Sequence, residues 1–497
     1  MSDIKKLVGQ TAIYGIPTII GRFLNYFLVP LYTYTMATSS YGVISELYAY
    51  ISFLMVILTY GMETAFFRFS QTEERKDIVF NTSLLSLIIS TSLFLVFSFI
   101  FLSPISNVLD YSNNQNYIAL FLLILALDAL RAIPYSLLRI QQKAKRFAFI
   151  KSMDIFSNIF FNLFFFLACP MIMNSEMSYL VSWFFNPDDL VLYIFVSNLL
   201  ASTIALLLLL PEYLQFKFDF NFKLLRKMLA YGLPVMIGGL AGMVNETFDR
   251  IALKHIITIP EGITDAAAIS KYKMSQLGIY GACYKISIIL VLFIQAFKFA
   301  AEPFFFSKMK QDDAKQTYSS VMLVFVLFLC FIFLSVIAYL DIFKYFVGAS
   351  YRQGLVVVPI LLISKIFLGI YYNLAIWYKV TDKTKYGAYI AFYGAGVTIL
   401  FNILFVPRFG YVGAAWTTLI SYFTIMVICY LYGQKYYPID YKIKRLATYF
   451  FVSIGLYLLM YFLPIENIYL KLTLNTILLL SFLVLAYKLD IKRLIRR

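Results

Sequence analysis

Charge is what this sequence has least of. Asp, Glu, Lys and Arg make up 14% of its 497 residues, against about a quarter in a soluble globular domain. With 61% hydrophobic residues and a mean hydropathy of +0.80, that scarcity excludes a soluble enzyme and a disordered chain. The single histidine, His255, cannot build a metal cluster. Cys169, Cys283, Cys330 and Cys429 lie far apart inside apolar runs, without metal or redox spacing. They read as packing residues, which excludes a disulfide scaffold. No bound metal and no cofactor are expected. There is no Gly-rich phosphate loop, so direct ATP hydrolysis is not expected either. The first apolar run is too long for a signal-peptide core and lacks an A-x-A site, so no cleavable signal is expected.

Long apolar runs are what the chain has in abundance. A helix crossing a bilayer needs about 20 apolar residues. The runs fall near 7–35, 41–67, 78–103, 117–139, 152–173, 190–211, 228–253, 276–302, 316–340, 354–378, 387–406, 412–433, 446–463 and 472–487. They are continuously apolar rather than alternating, which favours helices over the strands of a barrel. The fold class is therefore an all-α polytopic membrane protein with about 14 transmembrane helices.

The net charge of +16 has a local explanation. With the N-terminus placed in the cytoplasm, 29 of the 42 Lys and Arg fall on cytoplasmic segments, and the first three outside loops hold none. This asymmetry predicts both termini inside and an even number of spans. The basic residues are thus accounted for without a nucleic-acid partner. No loop is large enough to fold as a separate catalytic module.

The chain also repeats itself. Tyr14-Gly15-Ile16-Pro17 matches Tyr231-Gly232-Leu233-Pro234, and Tyr41-Gly42 matches Tyr280-Gly281. Glu63 matches Glu302, and Phe161-Asn162 matches Phe401-Asn402. The unit is six helices. Six is even, so both copies enter the membrane in the same orientation, related by an axis along the membrane normal. The expected organisation is an N-lobe at 1–227 and a C-lobe at 228–433 around a central cavity, with additional helices 13–14 and a basic cytoplasmic tail at 434–497. Pro17 and Pro234 hold matched positions and can bend their helices, as static kinks or in lobe motion. The last two helices could cover a lobe, meet a lipid tail or simply stabilise.

A charge at mid-bilayer costs about 2.5–3.5 kcal/mol on insertion scales, so charges kept inside spans point to a polar cavity. Asp128 with Arg131, Glu246 with Arg250, and Lys298 with Glu302 are three or four residues apart and can neutralise one another on one helix face. Arg22, Lys285 and Lys365 have no acid at that spacing. Lys285 is the repeat counterpart of Glu46, and the two could pair structurally. Cations in a water-filled cavity suit a phosphate-bearing ligand. Asp128, Glu246 and Asp249 can carry a proton or bind a cation. Glu63 and Glu302 near the cytoplasmic helix ends could gate an entrance or act as symmetric interfacial anchors. Energy would come from an ion gradient or the membrane potential.

Two six-helix lobes, two extra helices, the early Tyr-Gly-Ile-Pro helix, Tyr41-Gly42 and the basic Gln141-Gln142-Lys143-Ala144-Lys145-Arg146-Phe147 loop resemble Wzx-type polysaccharide or O-antigen flippases. These belong to the multidrug/oligosaccharidyl-lipid/polysaccharide exporter superfamily. The resemblance covers the whole chain. It implies a non-enzymatic transporter of the bacterial inner membrane, part of polysaccharide or lipopolysaccharide biosynthesis. It would move an undecaprenyl-diphosphate-linked oligosaccharide to the periplasmic leaflet, in contact with membrane lipid. It leaves room for association with polysaccharide polymerase machinery. Arg22, Lys285, Lys365, Arg131 and Arg250 are then the candidate diphosphate ligands; Asp128, Glu246, Asp249, Glu63 and Glu302 are the candidate coupling and gating acids. Helix 2 offers no mid-span Arg, a departure from the related lipid II flippases. The alternatives are a cation-coupled drug exporter of the same fold and a membrane polysaccharide polymerase or glycosyltransferase.

The orientation is directly testable. Cysteines introduced at Asn113 and Lys145 should label from opposite sides, Asn113 from outside. Labelling of Lys145 from outside intact cells would reverse the topology.

Overall fold

The computed structural model describes residue 21, residues 23–309 and residues 311–491. All regular structure among them is helical. Among the described residues twelve helical stretches are long and apolar enough to cross a membrane: 38–72, 76–100, 115–140, 144–173, 190–208, 222–256, 266–308, 314–338, 349–380, 385–436, 443–462 and 468–490. The protein is a multi-pass membrane protein. The run expected at 7–35 lies mostly outside the described residues, as does Pro17; its described part ends in the helix Leu28–Thr35.

The runs expected at 387–406 and 412–433 form two helices within Lys385–Tyr436, whose backbone is non-helical at Gly410. As one unbroken helix its 52 residues would extend about 78 Å at 1.5 Å per residue, more than twice a hydrocarbon core of about 30 Å. Gly410, with φ 55° and ψ −135°, breaks it between the two runs. That conformation is open to glycine and closed to other L-residues. Thirteen of the fourteen expected runs thus fall on the twelve helical segments among the described residues, Lys385–Tyr436 holding two of them on either side of Gly410.

Each helix satisfies its own backbone polar groups, which is the condition for standing in lipid. Where the sequence breaks that rule, a side chain repairs it. Pro134 inside Gln115–Ile140 has no N–H, so the Leu130 carbonyl loses its helical donor. The Tyr213 hydroxyl donates to that carbonyl at 2.8 Å.

The chain divides into two compact units, Met1–Ile251 and Ala252–Arg497. In the first, the helices Thr38–Thr59 and Met62–Thr72 meet at a break where Tyr60 has φ 35° and Gly61 has φ 72°. The break packs on the glycine of the repeated Tyr-Gly motif. A Cβ on Gly61 would lie 2.2 Å from the Gly232 carbonyl oxygen. Arg68 lies 4.3 Å from the centre of the Tyr231 ring at the same crossing. Met62, Phe66, Leu84, Ile133 and Met228 form the buried core around it.

In the second unit the helix Ala314–Ala338 is buried over most of its length. The two helices the repeat does not contain cover it. Asn475 donates to the Ala338 carbonyl at 2.9 Å, and the Tyr339 and Thr476 hydroxyls are 2.9 Å apart. The Phe333 and Tyr457 rings meet edge-on at 5.9 Å. Lys471 reaches Asp341 at 2.7 Å. Burial alone would raise the Asp341 carboxyl, but its bonds to Lys471 and Lys344 outweigh that and hold it below its ordinary value. Of the three roles open to helices 13 and 14 in the sequence, covering their unit is the one these contacts perform.

The repeated Phe-Asn motif has the same local geometry in both units. Asn162 and Asn402 are fully buried, and each amide donates to the carbonyl one turn back, Asn158 at 2.8 Å and Thr398 at 2.9 Å.

Gly61→Ala should lower the thermal midpoint of the purified protein. The positive φ alone costs about 1–2 kcal/mol, and the contact with Gly232 adds to it. Gly242→Ala, where an added Cβ meets nothing within 4 Å, should leave the midpoint unchanged in the same fluorescence-detected size-exclusion assay.

Candidate functional site

Within the first unit a cavity of about 250 Å³ is lined by Glu63, Asp128, Arg131, Tyr135, Arg139 and Lys151, with apolar neighbours. Three helices build it. Gln115–Ile140 supplies Asp128, Arg131, Tyr135 and Arg139, Met62–Thr72 supplies Glu63, and Ala144–Leu163 supplies Lys151. The spacing of 128, 131, 135 and 139 keeps those four side chains on one helix face. Arg131 stands about 13 Å inside the helix end at Ile140, at 1.5 Å per residue.

Arg131 is the centre. Its guanidinium pairs with Asp128, reaches Asp154 at 3.1 Å and donates to the Ser202 hydroxyl at 3.2 Å. Ser202 in turn donates to Asp128 at 3.0 Å. Its side chain is only 7% exposed. A cation so enclosed is stable only with its acids in place, because an isolated charge in a low-dielectric interior is strongly disfavoured. The pair expected from the spacing of Asp128 and Arg131 therefore forms, and Asp154 joins it from the next helix. The sequence gives no sign of Asp154, because a partner on another helix leaves no spacing signal in the chain.

The remaining cations are less engaged. Arg139 is exposed and lies 4.8 Å from the Phe67 ring centre. Lys151 lies 4.3 Å from the Tyr135 ring centre and 3.9 Å from Asp154. The Tyr135 hydroxyl and the Arg131 Nε are buried without a hydrogen-bond partner among the described residues. The cavity therefore offers cationic and donor groups that protein acceptors leave unused. Arg139 and Lys151 flank the basic loop at 141–147 in sequence, and only the helix packing brings them to the cavity.

The repeat sharpens the contrast. Arg139 and Lys379 are repeat counterparts, as are Glu63 and Glu302. In the second unit Lys379 pairs directly with Glu302, while Lys298 instead lies 5.0 Å from the Tyr372 ring centre. In the first unit no ion pair joins Glu63 to Arg139 among the described residues. The residues 240 positions after Asp128, Arg131, Lys151 and Asp154 are Leu368, Tyr371, Ala391 and Gly394. The charged cluster belongs to the first repeat only.

The other expected residues stand elsewhere. Arg22 lies outside the described residues. Lys285 is half-buried on Ala266–Lys308. Glu46 is fully buried and accepts from the Tyr111 hydroxyl at 2.7 Å. Lys365 is 1% exposed; its ammonium donates to the Tyr284 hydroxyl at 2.6 Å and lies 4.9 Å from the Tyr422 ring centre. Arg250 contacts Asp249 at 3.8 Å and donates to the Glu246 carbonyl at 3.1 Å. The Glu246 carboxylate is exposed and does not make the pair its spacing suggests. Of the set expected from sequence, Arg131, Asp128 and Glu63 are the members that line this cavity.

This fold defines the class. It is shared with the lipid II flippase MurJ in an inward closed conformation, with a TM-score of 0.70 at 15% identity over 96% of this chain and 98% of that one. It is shared as well with an inward-facing MATE-family multidrug resistance transporter of the MOP superfamily, with a TM-score of 0.63 at 12% identity over 88% of this chain and 98% of that one. Within that class, the chain belongs to the polysaccharide biosynthesis protein family, whose profile matches residues 7–310. An uncharacterized membrane protein of Methanocaldococcus jannaschii is 23% identical over 438 residues, 82% of this chain and 81% of that protein.

The two kinds of cation should respond differently to substitution. Arg131→Met removes the guanidinium that Asp128 and Asp154 share and should sharply reduce folded protein. Lys151→Gln should yield wild-type amounts of folded protein by size exclusion. Equal yields from both would mean that Arg131 does not hold the unit together.

Proposed function

We propose that this protein translocates an undecaprenyl-diphosphate-linked oligosaccharide from the cytoplasmic to the periplasmic leaflet of the bacterial inner membrane. It does so by alternating access, with both termini cytoplasmic, driven by an ion gradient or the membrane potential. It is a transporter and not an enzyme. The proposal keeps the six-helix lobes at 1–227 and 228–433, with the remaining helices at 434–497. The family match supports a role in polysaccharide biosynthesis. The observation that carries the reading is the charged cavity, whose cations Arg139 and Lys151 have no close carboxylate partner among the described residues other than Asp154 at 3.9 Å.

A diphosphate brings about two negative charges into a low-dielectric region, and only fixed cations and donors offset that desolvation. Arg139 and Lys151 are placed to receive the phosphates, with the Tyr135 hydroxyl as a further donor. Arg131 fixes the cavity wall. At about 250 Å³ the cavity is smaller than the roughly 300–1,000 Å³ usual for whole ligands. It takes the diphosphate and leaves the glycan and the lipid tail outside. Glu63 faces the same space and repels an anion unless Arg139 or a proton neutralises it.

The MATE-like fold supports a second reading, cation-coupled export of a small organic cation. That chemistry calls for a cavity dominated by acids. Here two acids, Glu63 and Asp128, line the cavity with three bases, Arg131, Arg139 and Lys151.

Arg139→Gln and Lys151→Gln should each reduce glycan delivery per folded transporter by about tenfold or more, the worth of a charge-assisted hydrogen bond. Lipid-linked repeat units should accumulate on the cytoplasmic side. Normal delivery from the double variant would eliminate this phosphate site. Drug efflux without glycan accumulation on deletion would select the second reading.

A further inference from the structure

At one end of the second unit, the turn at 381–384 returns beside the end of the helix Lys385–Tyr436. Trp377 is buried there, and the Tyr436 ring stacks near it at 5.7 Å and 18°. Gly433 allows this, since a Cβ on it would lie 3.0 Å from Trp377 Cδ1. The Tyr432 ring runs parallel to Tyr436 at 6.4 Å and 8°. Tyr386 donates its hydroxyl hydrogen to the Tyr436 oxygen at 2.6 Å. The hydrogen of Tyr436 is left to point at an acceptor outside the cluster.

Three ammonium groups surround these rings. Lys383 Nζ is 3.9 Å from the Tyr436 ring centre and Lys435 Nζ is 5.7 Å from it, while Lys385 is exposed next to Tyr386. None of the three has a carboxylate within 4 Å among the described residues. The helical stretches 349–380 and 385–436 both end here, so the cluster stands at the boundary between hydrocarbon and water. Lysines at that depth attract anionic lipid, and tyrosines settle at the headgroup level.

We infer that Lys383, Lys385, Lys435 and the Tyr436 hydroxyl form a binding site for the phosphodiester headgroup of an anionic phospholipid. Three cations and one phenolic donor match a phosphate; Asp382, the one acid in the turn, is exposed and lies within 4 Å of none of the three ammonium groups. A sugar ring fits less well, because Trp377, Tyr432 and Lys383 already contact the Tyr436 ring. The bound headgroup would neutralise the turn at 381–384 and anchor this end of the unit in its leaflet. The inference does not depend on the transport reading.

The test uses the purified full chain in detergent, incubated with phosphatidylglycerol or phosphatidylcholine, with retained lipid quantified after gel filtration. Wild type should retain phosphatidylglycerol in preference to phosphatidylcholine. Lys383→Gln with Lys435→Gln should lower that retention about tenfold, and Lys383→Arg with Lys435→Arg should preserve it. Tyr436→Phe should lower it about threefold, the worth of one hydrogen bond. Equal retention of the two lipids, or an unchanged glutamine variant, would overturn the site. Displacement of phosphatidylglycerol by inorganic diphosphate at equal concentration would assign it to a soluble phosphate instead.

Discussion

Arg131 can lie inside a membrane span only because Asp128, Asp154 and Ser202 meet it there. The arrangement draws on three helices, Gln115–Ile140, Ala144–Leu163 and Leu190–Leu208. It ties the middle of the first unit together electrostatically, where apolar packing alone gives no preferred register against lipid. Everything chemical in the cavity follows from that tie. The helix face that carries Arg131 also carries Tyr135 and Arg139, so fixing one fixes the others.

The backbone obeys the same constraint. A chain in hydrocarbon cannot leave a carbonyl or an N–H unsatisfied, so each departure from regular helix is met by a side chain or placed at a glycine. Tyr213 answers Pro134, two glycines meet at the Gly61–Gly232 crossing, and Gly410 turns the long helix. Arg146 likewise binds Glu212 with both carboxylate oxygens, at 2.7 and 3.0 Å, and joins the start of one helix to the end of another.

The two units share a repeat and differ in chemistry. Their Asn162 and Asn402 motifs have one geometry, yet the Glu302–Lys379 pair is closed where Glu63 and Arg139 are apart. A duplicated scaffold can keep its packing and specialise its charges, because packing depends on many residues and a charged site on few. The first unit carries the cations suited to an anion. The second carries a buried lysine shielded by tyrosines and a basic aromatic surface at its edge.

Composition and hydropathy by themselves determined the class of this protein. Lipid imposes one requirement on every span, about 20 apolar residues in a self-satisfied helix, and that requirement is written locally in the chain. The repeat and the Asp128–Arg131 pair were legible for the same reason, since both rest on spacing along one chain. Only the tertiary structure decided which charges meet. Asp154, Arg139 and Lys151 come to Arg131 from other turns and another helix, while Arg250 bonds the main-chain carbonyl of Glu246 and not its carboxylate, despite a spacing that suits a pair. An ion pair depends on distance in space, and between helices that distance leaves no period in the sequence.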